Sequence, residues 1–289
     1  MSALAASTRK LYEGEYAKYC DWRKSLVLDF VISDEELLPL YLRSVAGDSR
    51  SKSAIINAAV SFFGKKKASS GNGVSPLLGL VMKSISKKAP VVKHKEQVVQ
   101  EEVRKFYDMA WSSDRKESRM GTLVLLLYSG YLRPSEALAL KKEDLEFTGE
   151  NVVVSIKKSK RNQNGPVEKV FISRLSNGIC PVVILEKWME KVAGSDFIFP
   201  SFSGIDRPWS YDAAQKELKN ILEKLDIKKK ITLHSFRGSA ATAAVEAGCS
   251  EAELDRGCRW NASSSKKSYV RATPKSTATV SSILKNIGA

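Results

Sequence analysis

The lysine-rich segment at residues 87–97 divides this chain into two parts. It reads KKAPVVKHKEQ, is interrupted by a proline, and shows neither helical nor strand periodicity. This composition is typical of a linker. The chain has 289 residues, so each part is long enough to bury its own hydrophobic core. We predict a first domain over residues 1–90, a linker over 91–97 and a second domain over 98–289.

The first domain carries the pattern of four helices. Apolar residues recur there at spacings of three and four, which is the period of one helical face. Ser33 is followed three residues later by Glu36, and this pair forms a capping box that marks a helix start. The four predicted helices begin at Ser7 or Thr8, at about Ser33, at about Ser49 and near Pro76. We therefore predict that this domain is all-helical.

The second domain combines helices with a small sheet. Two alternating segments, Asn151–Ile156 and Val167–Ile172, flank the hairpin-turn signal Asn164-Gly165. Helical patterns are found at residues 98–111, 117–131, 134–140, 182–192, 211–225, 234–247 and 250–258, and again after Pro274. The predicted fold class is mainly α: an N-terminal helical domain followed by an α+β domain with a small antiparallel sheet.

The charge balance indicates an anionic partner. The chain holds 47 Lys and Arg against 32 Asp and Glu, a net charge of +15. Both parts share the excess, with 16 cations against 9 anions in residues 1–97 and 31 against 23 in residues 98–289. A surface this basic repels itself unless it meets an anion, and nucleic acid is the commonest one. We expect a long basic face that crosses both domains.

Several other classes of protein are disfavoured by the sequence. The four cysteines contain no CxxC pair, which argues against a zinc site or a disulfide framework, and two histidines are too few for a His-rich metal cluster. Uninterrupted apolar runs are shorter than a membrane span requires. The N-terminus does not resemble a secretory signal. We expect an intracellular protein of the cytoplasm or nucleoid, or of the nucleus in a eukaryote.

Two phrases place charged side chains at helix ends. In SGYLRPSEALAL, Arg133 follows an apolar helix and precedes Pro134, while Glu136 lies one turn further on and could orient it. In LHSFRGSAATAAVEAG, His234 and Arg237 are one helical turn apart, so we expect both on one exposed face, where they would bind an anion. Taken alone, the first segment fits an ordinary surface arginine better, and the second fits a helix cap with chance polar residues better.

A third phrase, RWNASSSKKSYVRA, places Trp260 and Tyr269 in a polar, basic stretch. Each aromatic taken alone is consistent with a core residue. Taken in order, however, the three sequence segments resemble those of the catalytic domain of the tyrosine recombinases, the phage-integrase type. The matching set is Arg133, Glu136, Lys160, His234, Arg237, Trp260 and Tyr269. Trp260 follows Arg237 by 23 residues and precedes Tyr269 by 9, spacings like those of the Cre-like members, which also carry tryptophan.

The resemblance extends over nearly the whole chain. The N-terminal part is similar to the helical core-binding domain that precedes the catalytic domain in this family. The phrase STRKLYEGEYAKYCDWRK resembles eukaryotic tyrosine-recombinase elements, and such mobile elements are one implied source.

The resemblance also implies roles for the matching residues. Tyr269 is the implied nucleophile, which attacks a DNA phosphorus and forms a 3′-phosphotyrosyl link. Arg133 and Arg237 are implied to neutralise the phosphate oxygens. Lys160 is the implied general acid, with Lys158 as the alternative on the same hairpin.

The remaining implied roles are supporting ones. His234 would hydrogen-bond the phosphate and assist proton movement at the nucleophile, and Trp260 would donate its indole N–H to the phosphate. Glu136 would hold the arginine and histidine from behind. This chemistry needs no metal, no ATP and no other cofactor.

The implied partner is double-stranded DNA, bound by a homotetramer on two DNA sites, with no membrane involved. Beyond Pro274, Val280, Ile283, Leu284 and Ile287 form one apolar face of a short predicted helix, which packs on its own domain or on a neighbouring protomer. Three alternatives are a type IB topoisomerase, a catalytically silent DNA-binding protein derived from a recombinase, and a basic helical DNA-binding module without chemistry.

Overall fold

The computed structural model describes residues 4–27, 32–64, 76–90, 96–157, 166–176, 178–203 and 206–260. The chain forms two compact units, Met1–Lys93 and His94–Ala289, which we call unit 1 and unit 2. Within the described residues, no helix combines the length and the apolar character needed to cross a membrane.

Unit 1 contains four helices in its described residues. They are α1 (Ala6–Ser25), α2 (Asp34–Val45), α3 (Arg50–Phe63) and α4 (Pro76–Lys88). Ser33 caps α2 together with Glu36, as its capping box predicts, and the Ser49 hydroxyl accepts a hydrogen bond from the Lys52 N–H at the start of α3. The four helices bury a core built around Tyr19, Leu42, Ile56 and Ile85.

Unit 2 combines seven helices with one small sheet in its described residues. The helices are α5 (Gln100–Ala110), α6 (Arg115–Ser129), α7 (Pro134–Ala139), α8 (Pro181–Lys191), α9 (Tyr211–Lys224), α10 (Leu233–Glu246) and α11 (Glu251–Cys258), with a 3₁₀ turn at Lys142–Asp144. The strands are β1 (Leu145–Phe147), β2 (Asn151–Ile156) and β3 (Glu168–Ser173).

The sheet is antiparallel with β2 at its centre. Val154 pairs with Leu145 on one side and with Val170 on the other. Strand β2 is the most apolar of the three strands, and its central position buries Val152 and Val154 completely. The predicted fold class, mainly α with a small antiparallel sheet, is confirmed. The short strand β1 was not predicted.

Helix α6 is the central element of unit 2. Its residues from 118 to 127 are all buried, including Arg119. The Arg119 guanidinium donates to the Pro200 carbonyl at 2.8 Å and to Glu217 Oε2 at 2.8 Å, and it lies 3.6 Å from the centre of the Trp209 ring. This buried charge is therefore paired with a carboxylate and hydrogen-bonded through both of its Nη atoms.

Candidate active site

The candidate site begins where α6 ends. Tyr131 has a positive φ of 46°, so the chain turns sharply there before Arg133, which occupies the N-cap position of α7. Pro134 occupies the first turn of α7, where its missing N–H costs no hydrogen bond. This turn directs the Arg133 side chain back along the first turn of α7, where Glu136 lies.

Glu136 holds Arg133 twice. Its Oε2 accepts from the Arg133 backbone N–H at 2.9 Å, and its Oε1 accepts from Arg133 Nη1 at 2.5 Å. The Glu136 side chain is 2% exposed, whereas that of Arg133 is 16% exposed. The guanidinium is thus fixed from the buried side, and its remaining donors face outward.

Arg237 reaches the same region from α10, but it is fully buried. Its guanidinium donates to the backbone carbonyls of Tyr131 and Cys258, and so joins the end of α6 to the end of α11. Burial, reinforced by the positive charge of Arg133, lowers the pKa of Arg237 to about 10. The expectation that Arg237 is exposed beside His234 is wrong, because this side of α10 packs into the core of unit 2.

His234 stays on the surface at the start of α10. Its ring centroid lies 6.0 Å from that of Tyr211, the first residue of α9. One turn of the helix therefore separates an exposed imidazole from a buried guanidinium, rather than presenting both to solvent.

Trp260 closes the site from the end of α11. It is 6% exposed and packs with Ala241, Leu254 and Cys258. Its ring centroid lies 5.9 Å from the guanidinium carbon of Arg237. The aromatic ring therefore packs close to the buried arginine.

Arg259 is a member of the site that the sequence analysis missed. Its Nη2 donates to Glu136 Oε2 at 2.6 Å, and its side chain is 9% exposed. The only sequence signal for it is its position immediately before Trp260 in the phrase RGCRW.

The electrostatics of this cluster favour an anion. Three guanidinium groups, those of Arg133, Arg237 and Arg259, lie near two carboxylates: Glu136, and Glu168 beside Arg259. Burial alone would raise the pKa of Glu136, but Arg259 and Arg133 outweigh it, so the pKa lies below its ordinary value. The carboxylate is therefore ionised, and the cluster keeps a surplus of positive charge. Arginine forks bind phosphate and carboxylate groups in this situation.

Two of the predicted residues cannot be placed beside this cluster. Lys160 and its alternative Lys158 lie outside the described residues, as do Tyr269 and the predicted apolar helix that follows Pro274. The strand that leads to the hairpin ends at Ile156, and Lys157 after it forms ion pairs with Glu143 at 2.6 Å and Asp144 at 2.8 Å.

Comparison with known proteins gives a family for this region. The sequence pattern of the phage integrase family matches residues 96–276. An integrase/recombinase XerD homolog from Selenomonas ruminantium is 24% identical over 261 residues, which cover 84% of this chain and 74% of that protein.

Solved structures share the fold. The Tn1549 transposon integrase in complex with transposon right-end DNA has a TM-score of 0.69 at 14% identity, and the match covers 100% of this chain and 96% of that one. A lambda integrase tetramer bound to a Holliday junction has a TM-score of 0.61 at 16% identity, covering 92% of this chain and 75% of that one.

Proposed function

This chain belongs to the phage integrase family, the tyrosine recombinases, and we propose that it cuts and rejoins double-stranded DNA at specific sites through a 3′-phosphotyrosyl intermediate. Unit 1 binds the DNA core in this proposal, and unit 2 binds it and performs the chemistry. The protein acts where its DNA is, inside the cell.

The observation that carries the proposal is the anion-binding cluster inside the family-matched region. Arg133 and Arg237 lie together there although they are 104 residues apart in sequence, and Glu136 holds the first of them. A phosphodiester gains negative charge on its non-bridging oxygens as a nucleophile adds to phosphorus. The partly exposed Arg133 guanidinium can donate to those oxygens, while the buried Arg237 adds positive charge beside it. Losing one such preorganised group typically slows a reaction by ~10²–10³-fold.

The proposed nucleophile is Tyr269. Its phenol oxygen attacks the scissile phosphorus, the bond from phosphorus to the 5′ oxygen breaks, and the DNA 3′ end becomes linked to the tyrosine. A phenol has a pKa of about 10 and needs help to lose its proton. His234 takes part in that proton movement, and Trp260 packs beside the phosphate and donates its indole N–H.

The leaving group needs a proton in the same step. Lys160, in the chain segment between β2 and β3, gives a proton to the departing 5′ oxygen, with Lys158 as the alternative donor. The phosphotyrosyl bond retains the reactivity of the original phosphodiester. A 5′ hydroxyl from a second strand then attacks phosphorus, releases Tyr269 and reseals the DNA. The cycle consumes no ATP and needs no metal or other cofactor.

Strand exchange between two duplexes requires one protomer at each cleavage position. We therefore propose a homotetramer on two DNA sites, which passes through a Holliday junction. The lambda integrase tetramer on such a junction, which shares this fold, supports that assembly.

The decisive test is capture of the covalent intermediate. The full chain is incubated with duplexes that carry a randomised core, and DNA that stays attached to the protein in SDS is sequenced. The enriched sequence is then remade with a nick beside the cleavage point, so that the short 5′-hydroxyl fragment is lost and the adduct accumulates. We expect an adduct with the natural chain and none with Tyr269→Phe, although that variant binds the same DNA with equal affinity.

Other outcomes identify the alternatives. An adduct that persists in Tyr269→Phe would assign the nucleophile to another residue. Binding without any adduct in the natural chain favours a silent DNA-binding protein. Relaxation of supercoiled plasmids that lack the enriched sequence favours a type IB topoisomerase.

A further inference from the structure

Arg259 occupies a backbone position that does not suit it. It ends α11 with φ 52° and ψ 49°, the left-handed region, in which a side chain crowds the backbone. Glycine is the residue that adopts this conformation without penalty, and it is the commonest residue at such helix ends. Interactions of the Arg259 side chain must therefore offset the backbone strain of this left-handed turn.

The Arg259 side chain bridges two carboxylates. Its Nη2 donates to Glu136 Oε2 at 2.6 Å, and its Nε lies 3.8 Å from Oε2 of Glu168, the first residue of β3. The side chain is 9% exposed, and within the described residues its Nε and Nη1 have no hydrogen-bond partner. Arg259 thus joins the start of α7 to the strand that returns from the hairpin.

This contact completes the hold on Glu136. Oε1 of Glu136 accepts from the Arg133 guanidinium, and Oε2 accepts from the Arg133 backbone N–H and from Arg259. Without Arg259, one oxygen loses its charged partner. The carboxylate then keeps only its two hydrogen bonds from Arg133, so the two side chains can move together.

We propose that Arg259 is a positioning residue for DNA strand transfer: it fixes Glu136, and Glu136 aims the Arg133 guanidinium at the scissile phosphate. This inference rests on the proposed function. Arg259 acts through Glu136, because it touches carboxylates and its side chain is more deeply buried than that of Arg133.

The chain offers variants that separate positioning from folding. Arg259→Gly removes the guanidinium and relieves the left-handed backbone, so the turn itself is preserved. Arg259→Lys keeps the charge but not the planar fork. Arg256→Met is the matched control, because Arg256 is an exposed arginine of the same helix and its loss removes the same charge.

The first measurement needs no DNA and no activity. In the ¹⁵N-labelled full chain, the Arg133 Nη signals are assigned by their loss in Arg133→Lys, since Nη1 is the group that donates to Glu136. We expect hindered rotation of this guanidinium, seen as separate Nη1 and Nη2 signals, in the natural chain and in Arg256→Met, and rotation at least tenfold faster in Arg259→Gly. An unchanged Arg133 signal in Arg259→Gly overturns the proposal, whether or not the protein cleaves DNA.

The second measurement is the rate of adduct formation in a single turnover on the nicked duplex. We expect Arg259→Gly to melt within a few degrees of the natural chain, yet to react roughly 10- to 100-fold more slowly, since small displacements of a catalytic group cost about that much. Arg259→Lys should recover part of the loss, and Arg256→Met should react at nearly the natural rate.

A double-mutant cycle decides between positioning and an independent role. If Arg259 works only through Arg133, Arg259→Gly slows Arg133→Ala no further. The proposal is overturned if the double variant slows adduct formation by the product of the two single decreases. It is also overturned if Arg259→Gly reacts at the same rate as Arg256→Met. Failure of the proposed function is distinct, because it appears as an absence of adduct in the natural chain while the NMR result still decides the role of Arg259.

Discussion

Glu136 is the residue on which two of the site's three arginines depend. It is buried, and burial by itself raises the pKa of a carboxylic acid. Arg259 and Arg133 reverse the direction, and the pKa of Glu136 falls below its ordinary 4.5. In the unfolded chain these partners are absent. The folded state therefore holds fewer protons than the unfolded state as the pH falls through this range, and its stability decreases with acidification.

We predict that Glu136→Gln lowers the stability of unit 2 near pH 7 by about 1–3 kcal/mol, the value of a charged hydrogen bond. The loss should shrink as the pH falls below about 4.5, the ordinary pKa of this group, because the natural carboxylate is then being protonated. Urea unfolding followed by tryptophan fluorescence measures this, since Trp22 is the only one of five tryptophans in unit 1. A pH dependence in Glu136→Gln equal to that of the natural chain would contradict the prediction. Glu146→Gln, at an exposed carboxylate of β1, is the control.

At the scale of elements, α5 and α6 approach one another closely at Gly121. A Cβ atom built there lies 2.5 Å from the Phe106 carbonyl oxygen and 2.6 Å from the Ala110 nitrogen. Both are backbone atoms, so a rotamer change cannot relieve the overlap. Since α6 is the central helix of unit 2, any shift of α5 disturbs the core around Phe106.

We predict that Gly121→Ala destabilises unit 2 by about 1–3 kcal/mol or more, the usual cost of overpacking a core, despite the higher helix propensity of alanine. The matched control is Gly257→Ala in α11. Its new methyl group would meet the Tyr131 ring at 3.4 Å, which is ordinary contact. That variant should be neutral or more stable by up to ~1 kcal/mol in the same urea experiment. Equal stability changes in the two variants would show that the close approach of α5 to α6 does not exclude a methyl group at position 121.

The sequence predicts elements whose signals are local and misses those that depend on distant partners. The start of α2 follows from its capping box, and β2 from its alternation. Helix α6 starts at Arg115, earlier than predicted, because the Asp114 side chain caps it by accepting from the Lys116 and Glu117 N–H groups. Strand β1 has three residues, too few to show a period.

The same distinction holds within the candidate site. Arg133 and Glu136 are one turn apart, so their contact can be anticipated from spacing. The contact between Arg259 and Glu136 spans 123 residues and depends on a left-handed turn, neither of which the sequence pattern reveals. The burial of Arg237 escaped prediction for a related reason, because its partners are backbone carbonyls, which every sequence possesses.

At the scale of the whole molecule, the positive charge is shared by both parts of the chain. Residues 1–97 carry an excess of seven cations and residues 98–289 an excess of eight. Such a distribution attracts DNA to both parts, but attraction to one duplex does not bring two duplexes together. Assembly of protomers needs a contact between proteins, and the buried core of such a contact is apolar.

The segment after Pro274 is the candidate for that contact. Val280, Ile283, Leu284 and Ile287 recur on one predicted helical face, and so short a helix is marginal in water unless that face packs on something. A head-to-tail contact between protomers closes into a ring when the rotation permits, which suits four protomers on two DNA sites. If a neighbouring protomer bound the segment after Pro274, that contact would also act on Tyr269, which lies shortly before Pro274 in the chain.

We predict that deleting residues 280–289 leaves binding to a single DNA site unchanged but abolishes pairing of two sites and recombination. Electrophoretic mobility shifts and a two-site recombination assay measure these separately. Leu284→Asp places a charge on the apolar face and should reproduce the deletion, whereas Ser282→Asp places the same charge off that face and should not. A tail that packs on its own domain gives a different result, because both the deletion and Leu284→Asp would then lower the thermal stability of the lone protomer and weaken single-site binding. Full recombination by the shortened chain would show that the contact between protomers is made elsewhere.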